Sequence, residues 1–188
     1  ASSGGAQTLD TTVASLTAMT SGVGAIVVTE TDSITLTNVR SANGMITVTA
    51  GGTVLATNVV SATNSDANDI ALTTTGGSAI TAGTITAVGQ GDVTLTTSGV
   101  ILDGAGKITA DVLTANSSGA QTLDTTVASL TATTSGVGAI VVTETDSITL
   151  TNVRSGNGVI TVTVGGSLVA TNVVSATNSD ANDIALTA

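Results

Sequence analysis

Residues 5–74 recur as residues 119–188, at an offset of 114, and 62 of the 70 aligned positions are identical. A chain that copies itself this closely folds as a repeated structural unit. Among the eight differences, Met19 answers to Thr133, Met45 to Val159 and Ala50 to Val164, while Val54-Leu55 reverses to Leu168-Val169 at equal volume. The exchange of Met for Thr marks position 19 as not deeply buried. One continuous segment over 1–188 is expected, made of a first unit, 5–118, and an incomplete second unit, 119–188. A segment that starts and stops inside a unit reads as an excerpt of a longer array.

Each unit divides again, into coils 6–24, 25–44, 45–68, 69–91 and 92–119, of 19, 20, 24, 23 and 28 residues. Stacking the coil starts produces columns. Ile26, Ile46, Ile70 and Val93 align; Leu9, Val28, Val48, Leu72 and Leu95 align; Thr29, Thr49, Thr73 and Thr96 align. Apolar and polar positions alternate with period two, as in half-buried strands. The first coil departs from this pattern, with Gln7 and Asp10 where the others hold aliphatics and Thr. A second strand places Ile34 and Leu36 over Val54 and Ala56. Gly, Asn, Ser and Asp gather between the strands, where turns need them. Thr and Val at nearly every second position make poor helices, and no stripe of period 3.6 appears.

Two all-β folds could use this pattern: a right-handed parallel β-helix with about five coils per unit, and tandem Ig-like β-sandwiches. Recurrence of residue types at one coil's spacing favours the β-helix, because in-register parallel stacking produces it. A sandwich core also usually holds a large aromatic, and this chain has no Phe, Tyr or Trp. About eight coils at roughly 4.8 Å each would rise roughly 38 Å. The longer coils should bulge at their turns, at 61–68, 74–78 and 104–107.

Composition narrows the chemistry. Three cations against 13 acidic residues give a formal charge of −10, so the chain is unsuited to neutralising phosphates and nucleic acid is not an expected partner. Anionic membrane surfaces are disfavoured for the same reason, and no apolar run reaches the roughly 18 residues of a membrane helix. With neither His nor Cys, no Ser-His-Asp triad, thiolate nucleophile or zinc set can be assembled. No enzyme is expected, and no catalytic or cofactor-binding residue is assigned.

The segments DVTLTTSGVILDG, ADVLTANSSG and ETDSITLTNV resemble the repeats of filamentous-haemagglutinin-type exoproteins and related giant bacterial adhesins. The resemblance spans the whole chain and rests on degenerate motifs. It implies a right-handed β-helix, an extracellular or cell-surface location, and a structural or adhesive role in a large secreted or filament protein. Expected partners are neighbouring repeats or copies of the chain, end to end, and a host or neighbouring cell surface.

Four smaller features each admit a functional and a plainer reading. The run Asn64-Ser65-Asp66-Ala67-Asn68-Asp69, repeated at 178–183, offers Asp66, Asp69, Asp180 and Asp183 as weak calcium ligands. It lacks the EF-hand pattern and its closing Glu, and an Asx-turn explains it more simply. Asn38 over Asn58, and Asn152 over Asn172, should form amide ladders at a turn. Glu30 and Asp32 lie close in sequence with Arg40 nearby, and read as a surface turn. Thr-x-Thr pairs occur at Thr35/Thr37, Thr47/Thr49, Thr94/Thr96, Thr149/Thr151 and Thr161/Thr163. They suggest an alternative role as a binding module for ice or glycan on a Thr-rich face. Val27/Thr29, Ala71/Thr73 and Thr8/Asp10 break the ranks.

Overall fold

The alternation of apolar and polar residues is resolved by winding. A computed structural model describes residues 1–188 as nineteen strands in one continuous sheet, with every pairing parallel and no helix. Each strand between the first and last layers hydrogen-bonds to the strands one coil before and one coil after it, and this defines a β-solenoid with three faces. On the first face an inward column runs Gln7, Ile26, Ile46, Ile70, Val93, Leu113, Leu130, Leu150, Ala170. Those nine layers make eight steps, a rise of roughly 38 Å. The second face carries Ile34, Val54, Ile80, Ile101, Gln121, Ile140, Ile160 and Ile184. The third carries Val39, Val59, Ile85, Ile108 and Thr125.

The boundary expected for the last coil is corrected. Counting 92–119 as one coil would set Gln121 directly over Val93. Instead Val93 pairs with Leu113, and Gln121 stacks on Ile101 one face further round. Residues 92–119 contain four face-sized segments, beginning at Val93, Ile101, Ile108 and Val112, where a single turn has three. The second unit is therefore out of phase with the first: Gln121 lies one face beyond the Gln7 column, and Leu150 stacks in the first-face column although its counterpart Leu36 pairs on the second face.

Thirty-eight buried aliphatic residues form one core cluster along the whole column, and none is aromatic. Flat β-branched side chains in register substitute for large rings, since identical neighbours above and below leave little void. The inner corners need small residues. Ser41, Ser61, Ser155 and Ser175 donate hydroxyl hydrogen bonds of 3.0–3.1 Å to the carbonyls of Gly24, Gly44, Gly138 and Gly158. A Cβ on Gly44 or Gly158 would lie 2.4 Å from the glycine carbonyl oxygen in the layer beneath, so no larger residue fits there. The long coils do put their extra length at corners, in the connections after Ser61, Thr74 and Asp103.

Gln121 is a buried amide in an otherwise aliphatic column. Its Nε2 reaches the carbonyl oxygens of Ala115 (3.1 Å) and Thr133 (2.8 Å) and the Ser117 hydroxyl (3.0 Å). The bonds to Ala115 and Ser117 tie the first strand of unit two to the strand that closes unit one, at the place where the phase changes. Its Oε1 has no protein partner.

Candidate functional site

The amide ladders form as rungs. Asn58 Nδ2 donates to Asn38 Oδ1, and Asn172 Nδ2 to Asn152 Oδ1, each at 2.8 Å. Each ladder has one rung, because Asn38 pairs downward with Thr17 and Asn58 upward with Thr84. Two further amide rungs join different corners: Asn68 to Asn43 (3.0 Å) and Asn182 to Asn157 (2.9 Å). They escaped sequence reading because the partners are 25 residues apart, across a long coil rather than a short one.

The acidic-amide run closes as a turn. The Ser65 carbonyl accepts the Asn68 N–H (3.1 Å), the Ser65 hydroxyl accepts the Ala67 N–H (3.3 Å), and Asp69 Oδ1 accepts the Asp92 N–H (3.0 Å). Asp66, Asp180 and Asp183 are exposed and Asp69 is half-buried, and no three acidic side chains are gathered in a metal-holding arrangement. Asp92 has its carboxyl pushed above the usual value by burial, opposed by a hydrogen bond from the Val112 N–H and reinforced by the charges of Asp69, Asp111 and Asp66.

The turn at Glu30 differs from the expected surface turn. Glu30 and its copy Glu144 point inward and are each only 2% exposed. Glu30 accepts hydrogen bonds from the Thr11 hydroxyl (2.7 Å) and from the N–H groups of Val13 (3.1 Å) and Thr31 (3.1 Å). Glu144 accepts from the N–H groups of Val127 (3.1 Å), Thr145 (2.9 Å) and Asp146 (3.2 Å). A carboxylate committed to backbone donors is a turn-former, and neither Glu faces a second carboxylate across a cleft. Lys107 makes the one ion pair, with Asp124 at 2.8 Å, bridging a corner of the phase change.

The surface has two shallow depressions, one between Thr109, Val127 and Asp146 and one between Ala14, Thr35 and Leu55. Neither converges polar groups on a point. The regular feature of the exterior is the first face. Its outward residues form two columns in unbroken register: Val27, Thr47, Ala71, Thr94, Thr114, Thr131 and Thr29, Thr49, Thr73, Thr96, Asn116, Thr133. Thr114/Asn116 and Thr131/Thr133 enter this face only because the phase change carries them there. Thr35 and Thr161, in contrast, lie outside it, and Thr149 stands beside the two columns, paired with Ser129. The missed signal was an echo inside coil five, DVTLTTSG at 92–99 and DVLTANSSG at 111–119, which stack on each other.

No protein-family model, curated protein or solved structure matches this chain.

Proposed function

We propose that the chain is a structural and adhesive repeat segment of a large secreted protein of the cell surface or of an extracellular filament, and that it performs no catalysis. What carries the reading is one aliphatic column that buries its side chains by stacking alone. In such a solenoid each layer is stabilised by its neighbours, so length supplies stability and reach together. The resemblance to filamentous-haemagglutinin-type repeats supports the same role. So does the use of the inward carboxylates and amides, which close turns and rungs.

Partners of this reading are neighbouring repeats or copies of the chain joined end to end, and the surface of a host or neighbouring cell. Taken as an isolated 188-residue segment, its last strand, Ile184–Thr187, pairs on one side only and leaves Ile184 45% exposed, whereas the identical Ile70 is covered by a further layer. Open strand edges template further pairing. Sedimentation velocity over a range of concentrations tests this. End-to-end association is expected for the 188-residue chain, along with rapid amide exchange at Ile184 when it is dilute. A monomer that never associates and protects Ile184 as well as Ile70 would sink the proposal. Antibody labelling of intact producing cells tests the location, and a signal seen only after lysis counts against it.

A further inference from the structure

The first face has a property that turn-forming and stacking do not require. Of its twelve outward positions between the Val27 and Thr131 layers, nine are Thr and the rest are Asn, Val and Ala. None is charged, on a chain whose formal charge is −10. Charges stand at the two ends of the strip, Asp10 beneath Thr29 and Arg154 above Thr133, and along one side of it, at Asp69 and Asp92 just before Ile70 and Val93. Between the two ends the Cα register is unbroken, and the first shift comes only above Leu130.

The result is a two-dimensional array of hydroxyl and methyl groups, repeating about every 4.8 Å along the axis and about every 6.6 Å across it. Threonine is stiff at χ1, and nearly all of these side chains are half-buried by their neighbours in the column. Little rotamer freedom remains to be lost on binding, so the array is preorganised. The Thr133 hydroxyl already donates to Asn116 Oδ1 at 2.6 Å, locking one rank. A periodic neutral surface of this kind imposes one repeated arrangement on its first water layer. A charged side chain would organise water around itself and break the repeat.

We infer that this face binds ice, through ranks of hydroxyls that hold first-layer water in lattice positions while the methyls fill the spaces between them. Ice is a neutral lattice of alternating donors and acceptors, so it suits a strip of hydroxyls that carries no charge within its two columns. The inference is independent of the structural and adhesive role.

The test is partition of the purified chain into a slowly growing ice front, together with thermal hysteresis. Three proteins are compared: the chain itself, a double variant Thr94→Lys with Thr131→Lys on the first face, and Thr86→Lys on the third face. All three substitutions are at outward, half-buried positions, and circular dichroism checks that the sheet persists. The parent and T86K should enter the ice and show hysteresis, and the T94K/T131K variant should lose both. Exclusion of the parent from ice overturns the inference, including the case in which it pellets with crystalline cellulose instead. Equal partition of parent and double variant overturns it too, as does loss of partition in T86K. So does a parent excluded from ice that self-associates through this face, with T94K/T131K sedimenting as a monomer.

Discussion

The sequence AQTLDTTVASLTA occurs at 6–18 and again at 120–132, and it folds in two ways. In the first copy two strands, Gln7–Thr11 and Ser15–Val23, are separated by three residues outside the sheet. In the second copy one strand runs unbroken from Gln121 to Val137. Val13 is 38% exposed, and its counterpart Val127 is 1% exposed. The difference lies beneath them. The second copy rests on Ile108–Ser117, whose strand supplies partners through the corner, Ala110 to Val127 and Val112 to Ser129. Where the described residues include a layer beneath, its hydrogen bonds carry the strand through the corner. In this fold, propensity proposes a strand and the neighbouring coil decides where it ends.

The phase of the second copy gives the largest expected effect, because it is all or none. With no native cysteine to interfere, Thr114→Cys with Thr131→Cys should oxidise readily, since these are paired neighbours at about 4.8 Å, within disulfide reach. Thr94→Cys with Thr122→Cys should not, although a whole-turn repeat would put those two in contact. Non-reducing electrophoresis separates the outcomes, and crosslinking of the second pair alone would restore the whole-turn reading.

Coverage comes next. Ile70 and Ile184 are the same position in the two copies, fully buried in one and 45% exposed in the other. Ile70→Ala should cost about 2–5 kcal/mol, as core truncations do, and Ile184→Ala less than about 1 kcal/mol. Urea melts read the contrast, and equal costs would mean that the last layer is covered in solution. The amide rungs should show a smaller version of it. Asn58→Ala removes a half-buried hydrogen bond, worth about 1 kcal/mol, and Asn172→Ala an exposed one, worth a fraction of that. Chemical denaturation of each variant against the parent measures both.

The smallest effect separates the two glutamates, the only ones in the chain. Burial pushes Glu30 up, but hydrogen bonds from Thr11, Val13 and Asp32 outweigh it and hold the carboxyl below its usual value. Deeper in the column, burial of Glu144 prevails over hydrogen bonds from Thr125, Asp146 and Val127, and the carboxyl sits above its usual value. Carbon-13 titration should therefore place Glu144 above Glu30, and the reverse order would contradict the difference in depth. The consequences for stability are opposite in sign. Glu30 contributes above its unfolded pKa, and that contribution fades as pH falls through its lowered folded value. Glu144 contributes below its unfolded pKa, and that contribution is lost as pH rises through its raised folded value. Glu144→Gln should accordingly improve relative to the parent from acidic to neutral pH, and Glu30→Gln should worsen.

Much of this molecule was legible in its residues alone. Alternation is a local property of a strand, so the inward set Ile26, Val28, Ile46, Val48, Ile70 and Leu72 could be read without a structure. Repetition at one coil's spacing put Asn38 over Asn58 and Ile34 over Val54, and excess length could only be housed at corners. The tertiary structure alone decided the rest: that residues 92–119 take one face more than a turn, that Glu30 and Glu144 turn inward, and that Thr114 and Thr131 extend the threonine ranks. The physical reason is that a strand's own pattern says which side faces the core and nothing about which strand lies beneath it. That partner is chosen by closure of the whole coil, where one additional strand segment puts every later residue out of phase with its counterpart.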